Sequence, residues 1–544
     1  MSSKLLRGTF ILTLGTIISK LLGLFYVIPF VAIVGTEGTG LYQYAYVPYT
    51  IFLSFATAGV PLAVSKFVAK YNAMEEYAVG RRLFKSGLVV MLTTGIIAFL
   101  ILFIFAPAIT NMFTIDPKYD FSKEEVVTVI RAVSFALIII PFMSLIRGFF
   151  QGHQSMGPSA VSQVIEQIAR ILFLLIGAFI VLYVLDGSLG TAISVATFAA
   201  FIGGIASLAV LVWYWMKRKP HLDKLLERDR GTVNISLSEM YKEIIFYSIP
   251  FVMVGISNSL YQFVDLTTFK RAMFSIGLAE EAQHALTIVN FTTHKLVIIP
   301  VSLATAFSLT LVPMITHAFV QQDRKSVNHQ LNQMFQVLLF LTLPASLGIS
   351  LLAEPVYTVF YGHDALGADI LRIYAPVAVL FALFSVTAAV LQGINEQRWT
   401  ILSLLTGLLV KLSFNIPLSE RFETEGAIMA TALGYSVAVL INLSVIKYFV
   451  GYKYRLVLRR TLLIVIFCAI MLAAAGAVYK LSELILSPAA RGEALIMILF
   501  SAAFGAGLYF YLSWRSKLAL LLFGSKIERL IGKLPFKKKR PELD

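Results

Sequence analysis

The chain is 544 residues long, 58% hydrophobic and only 14% charged, with a formal net charge of +15. This composition excludes a soluble globular protein, and the lack of ten-residue segments alternating in polarity excludes a transmembrane barrel. Its single cysteine, Cys468, excludes an intramolecular disulfide and any cysteine-based metal cluster.

A helix needs about 20 apolar residues to cross the hydrocarbon core. Fourteen such segments are predicted, at 8–34, 41–69, 86–113, 126–150, 158–184, 189–216, 243–269, 284–317, 331–352, 370–391, 398–418, 425–449, 457–480 and 493–514. The expected fold is an all-α polytopic membrane protein. With the N-terminus inside, the inner connections carry 32 Lys/Arg and 12 Asp/Glu, the outer ones 9 and 16. That asymmetry follows the positive-inside rule, so the excess charge is read as topology and contact with anionic lipid, not as a nucleic-acid site. Both termini are expected on the cytoplasmic side, and the first span is expected to be retained rather than cleaved.

In the first span Thr9, Thr13, Thr16 and Lys20 share one helical face. A lysine at membrane depth costs several kcal/mol, roughly 2.5–3.5 on insertion scales. Lys20 therefore either faces a polar cavity or pairs with another polar group. Span five carries Gln163, Glu166, Gln167 and Arg170 on one face, with Glu166 and Arg170 spaced to neutralise one another. The charged stretch 217–242 then separates two halves.

Span seven aligns Asn258, Gln262 and Asp265, candidates for cation coupling or for structural pairing. Span eight runs Thr287, Asn290 and His294 along one side, with Lys295 adjacent and Pro300 five residues on. Pro29, Pro48, Pro250 and Pro300 are expected to interrupt spans one, two, seven and eight. The lone histidines suggest no metal site.

The segment 145–173 returns as 384–414. Arg131, Gln151, Gly152 and Arg170 match Arg372, Gln392, Gly393 and Lys411 at a constant offset of 241. Lys411 has no acid in its own span, and is explained either by an anionic ligand or by an acid on another helix such as Asp265. The domain reading is thus a six-helix repeat over 1–216, a cytoplasmic linker over 217–242 and a second six-helix repeat over 243–449. Two appended helices follow over 450–514, then a basic tail over 515–544. An even number of spans in each half makes the repeats parallel. No Walker sequence is present, so ATP-driven transport within this chain is not expected, and no catalytic constellation points to an enzyme.

Ser19-Lys20-Leu21-Leu22-Gly23, Lys295-Leu296 with Pro300 and Pro313, and the Gln-Gly turns at 151–152 and 392–393 carry a resemblance. The chain resembles the multidrug/oligosaccharidyl-lipid/polysaccharide exporter superfamily, in particular its MurJ-type lipid II flippases and SpoVB-like members. The resemblance implies twelve core spans plus two that form a lipid-accommodating groove. It also implies cavity bases at Lys20 and Lys295, where that family commonly has arginine, holding a substrate pyrophosphate. Further cavity arginines of the family have no counterpart at Leu24-Phe25-Tyr26 or Ser54-Phe55, so Arg170, Lys411 or Lys270-Arg271 would have to supply that charge.

The expected function is movement of the polyprenyl-pyrophosphate-linked peptidoglycan precursor between leaflets of a bacterial cell membrane by alternating access. Such a protein needs no cofactor, can draw on the membrane potential or a monovalent cation, and can partner cell-wall synthesis proteins. The alternatives are a flippase for another lipid-linked oligosaccharide and a cation-coupled multidrug exporter.

Overall fold

The computed structural model describes residues 3–57, 59–116, 118, 121–232, 235–309 and 311–523. The basic run Lys537–Arg540 and the tail from 524 onward lie outside the described residues. Among the described residues eleven helical stretches are long and apolar enough to cross a membrane. Two of them hold two passages each. Leu14–Thr57 breaks at Gly35, whose φ of 69° suits a residue without a side chain, and Gln397–Val450 breaks at Phe422 and Glu423. Leu237–Ser275 adds a further long helix. Fourteen passages result, as the hydropathy pattern predicts.

Polar residues end these helices where the apolar runs stop. Ser122 and Ser236 each accept the amide of a glutamate three residues on, Glu125 and Glu239, whose carboxylates bond back to the serine amide. Asp323 and Asp364 cap later helices by accepting backbone amides alone, Asp323 from Lys325 and Ser326 and Asp364 from Gly367. The expected proline breaks take a different form. Pro29 follows a break at Tyr26, as expected, but Pro48 and Pro300 lie within continuous helix, and the other departures are Gly35 and two π-helical turns at Ile180–Val184 and Ile288–Thr293. A π turn shifts the helical register as a proline bend would, without needing the residue.

The internal repeat is visible in the backbone. After Gln151-Gly152 the chain turns through Gln154 at φ 56°, and after Gln392-Gly393 through Asn395 at φ 63°, again 241 residues on. The hydrogen bonds match as well: the amides of Gln154 and Ser155 donate to Gln151 and Phe150, those of Asn395 and Glu396 to Gln392 and Leu391. Asparagine and glutamine tolerate this left-handed conformation better than branched residues do.

The chain divides into two compact units, Met1–Phe291 with Leu404–Gly434, and Thr292–Ser403 with Tyr435–Asp544. In the first, Phe84, Phe149 and Trp215 stack with centroids 4.1 and 4.9 Å apart above Val64, Leu83 and Met91. The end of the helix Leu189–Leu226 and the connection after it are strapped to the same unit. Arg81 pairs with Asp223 at 2.6 Å, Arg230 with Glu75 at 2.6 Å, and Thr232 donates to buried Glu76. In the second unit Tyr435 sits between Phe381 and Phe384, 4.6 and 5.5 Å from their rings.

Close helix crossings depend on glycine. A Cβ at Gly148 would lie 2.2 Å from the carbonyl oxygen of Pro61, which is backbone and cannot turn aside. Gly148→Val is expected to cost about 1–3 kcal/mol through overpacking, read as a lower unfolding temperature of the purified protein.

Candidate functional site

The site in the first unit begins with a helix crossing. Gly15 meets Ala160 so closely that a Cβ there would lie 2.9 Å from the alanine methyl. This contact brings the helix Ser3–Phe25 against Met156–Phe179. One turn further on, Thr16, Ser19, Lys20 and Gly23 line a cavity of about 430 Å³ with Gln163, Glu166, Gln167 and Arg147. Lys20 is exposed to this space, and no hydrogen bond or ion pair holds its ammonium among the described residues. Thr16 donates to the carbonyl of Leu12 at 2.9 Å and reaches Gln163 at 3.4 Å. The side chains of Thr9 and Thr13 lie outside the described residues.

Glu166 does not pair with Arg170, contrary to the i, i+4 expectation. Its carboxylate accepts from Arg147 Nη2 at 2.7 Å, across from the neighbouring helix. Arg147 also donates from Nε to Ser162 at 2.8 Å and from Nη2 to Ser207 at 2.7 Å. Arg170 instead enters an aromatic cluster, donating to the Tyr42 hydroxyl at 3.0 Å with its guanidinium 5.3 Å over the Tyr46 ring.

Lys411 is buried and meets Asp265 at 2.6 Å, so the reading with an acid on another helix is the one the geometry realises. Its other two N–H bonds go to the Ala427 carbonyl at 2.9 Å and the Thr431 hydroxyl at 2.8 Å. An ammonium has three donors, and all three are engaged. That corrects the assignment of Lys411 to pyrophosphate: it has no N–H left to give a phosphate. Asn415 adds a donor to the same Asp265 oxygen at 3.0 Å. Gln262 and Asn290 exchange bonds through their backbone carbonyls at 2.9 and 3.1 Å, and Asn258 is half-buried on the helix that also carries Gln262 and Asp265. Lys270, also weighed as a cavity base, is buried with its ammonium 3.3 Å from Gln283 and 3.4 Å from the Tyr44 hydroxyl.

Lys295 belongs to the second unit and is half-buried just after the π turn. Beside it His294 Nδ1 meets the Tyr374 hydroxyl at 2.9 Å. The appended helices Arg455–Glu483 and Arg491–Arg515 border an apolar cavity of about 340 Å³ with Arg324–Leu351. Gly348, Ala475 and Gly505 keep its walls thin, and Leu341, Leu352 and Met471 line it.

Arg147 is the site residue that sequence reasoning passed over. It lies three residues from the inner end of its predicted span, where a base reads as a topology signal. Its nearness to Ser162 and Glu166 depends on how the helices on either side of the Gln151-Gly152 turn cross, which residue order does not give.

A family model described as polysaccharide biosynthesis protein matches residues 5–319, and one described as MatE matches 255–416. The lipid II flippase MurJ of Bacillus subtilis (strain 168) is 47% identical over 534 residues, 97% of this chain and 98% of that protein. The chain belongs to the MurJ family. Another relative of this MurJ-family chain, stage V sporulation protein B of Bacillus subtilis, is 24% identical over 81% of the chain and 83% of its own length. A solved lipid II flippase MurJ in an inward closed conformation aligns with a TM-score of 0.63 at 16% identity, covering 94% of this chain and all of that one. An inward-facing MATE family transporter of the MOP superfamily aligns at 0.61 and 15% identity, over 79% of this chain and 94% of its own. Both share the fold of this MurJ-family protein, a multi-pass transporter of the bacterial membrane.

Proposed function

We propose that this chain is a lipid II flippase, carrying the polyprenyl-pyrophosphate-linked precursor from the inner to the outer leaflet by alternating access. The observation that carries the reading is the 47% identity, over nearly the whole of both chains, to the Bacillus subtilis flippase. The cavity around Lys20 supports this reading, because a cation with no ion-pair partner among the described residues attracts a phosphate. Lys20 offers a point charge to the pyrophosphate, and Arg170 stands further along the helix that bears Glu166. The two six-helix repeats over 1–216 and 243–449 rock about the linker 217–242. Both termini lie in the cytoplasm, a reading supported by the 32 to 9 distribution of Lys/Arg. Leaflet-specific labelling of lipid II in cells depleted of the protein tests the substrate. Undiminished outward exposure in depleted cells with no second flippase, with loss of another lipid-linked saccharide, would move the assignment to that saccharide.

The driving force comes from the membrane potential. An inside-negative potential favours outward movement of anionic groups by about 2.3 kcal/mol per charge per 100 mV. Asp265, the acid available in span seven for a dissolved coupling cation, already holds an ammonium. Collapsing the potential is expected to slow flipping, whereas removing the sodium gradient at constant potential leaves it unchanged. A rate that follows sodium would restore a coupling role for Asp265.

The apolar cavity beside the appended helices suits the polyprenyl tail, which gains about 0.8 kcal/mol for each methylene moved from water to an apolar wall and less for one moved from lipid. Deleting residues beyond Leu456, with the basic tail reattached, is expected to impair lipid II movement while the twelve-span core still inserts. Equal flipping by the shortened chain would assign these helices to stability or partner docking instead.

A further inference from the structure

We infer that Arg147 is a second phosphate-binding cation of the Lys20 cavity, resting on the lipid II reading above. Three features of its surroundings lead there. First, Arg147 lines the same cavity as Lys20, with its side chain 13% exposed. Second, its guanidinium is anchored along one side: Nε donates to Ser162 at 2.8 Å, and Nη2 donates to Ser207 and Glu166, each at 2.7 Å. Third, the Nη1 group has no hydrogen-bond partner among the described residues.

A guanidinium fixed on one edge and open on the other is a prepared anion site. Most of the side-chain entropy that an arginine loses on binding is already lost here, so less of the binding energy is spent on ordering it. Nη1 carries two N–H donors, enough to hold one phosphate oxygen or to bridge two. Lys20, a rotating ammonium on a flexible stem, supplies the complementary point charge. Glu166 neutralises much of the Arg147 charge without occupying Nη1. This lets a base remain at membrane depth while the cavity is empty, and leaves Lys20 as the uncompensated charge that attracts the anion. The arrangement answers the absence of a base at Leu24-Phe25-Tyr26 and Ser54-Phe55: the charge comes from the fourth passage.

Arg147 also ties three helices together, so loss of activity on its removal would not separate binding from folding. The test is a binding measurement on the purified full-length protein, with polyprenyl pyrophosphate and the corresponding uncharged polyprenol as probes. Glu166→Gln serves as the reference, and Arg147→Met with Glu166→Gln removes the cation without stranding a buried carboxylate. Against that reference the double variant is expected to bind the pyrophosphate at least tenfold more weakly and the polyprenol equally well. Arg147→Lys should fall between, since a lysine cannot both keep the three anchors and present a free edge. Equal weakening for both probes would make Arg147 a structural tie, and unchanged pyrophosphate binding would remove it from the site. A wild-type protein that does not prefer pyrophosphate over polyprenol would instead overturn the lipid II reading on which the inference rests.

Discussion

Lys20→Ala is expected to abolish or severely reduce outward lipid II exposure while protein level and membrane insertion stay near normal. The lysine makes no bond among the described residues and is exposed to the cavity, so its removal strands no buried partner. A charge-assisted hydrogen bond is worth about 1.5–3 kcal/mol, or roughly 10–150-fold in affinity for the phosphate. Lys20→Arg should retain function, because a longer guanidinium still reaches the cavity and donates in a fork. Leaflet-specific labelling in a strain relying on each variant gives the answer, and unchanged exposure with Lys20→Ala would remove this residue from substrate binding.

The second large effect is on stability. Lys411→Ala leaves the Asp265 carboxylate buried with only amide and hydroxyl neighbours, and breaking one side of a buried ion pair costs roughly 3–5 kcal/mol. The same holds in reverse for Asp265→Ala, which strands an ammonium that is 0% exposed. Replacing both, as Asp265→Leu with Lys411→Met, removes two desolvated charges together and should recover most of the loss. Unfolding temperatures of the three purified variants therefore should not add. Two single losses that sum in the double variant would mean that the pair is not coupled. Asp265→Asn is the milder probe: it keeps a carbonyl acceptor for Lys411 but leaves the ammonium uncompensated.

Much of this protein was legible from the residue order. The fourteen passages follow from apolar run length, because a bilayer demands about 20 such residues whatever the neighbours are. The two-fold repeat was legible at Gln151-Gly152 and Gln392-Gly393, since these and the flanking basic residues match at a constant offset of 241. Lys20 stood out for the same reason, as a charge that the membrane alone would reject.

What periodicity tells is which side of its own helix a residue occupies; it does not tell which helix comes to stand opposite. Glu166 and Arg170 share a face and could have paired, yet the fold sets Arg147, itself held by Ser162 and Ser207, against that carboxylate and turns Arg170 toward Tyr42 and Tyr46. Lys411 offered two readings until the helix carrying Asp265, and the chain after the break at Glu423, closed three oxygens around its ammonium. Hydropathy and helical spacing by themselves determined the number of membrane passages, their duplication and the presence of a base at membrane depth at Lys20, whose cavity only the fold shows. The partners of the buried charges were decided only by tertiary structure, because a salt bridge depends on distances of a few ångströms set by how helices cross and rotate.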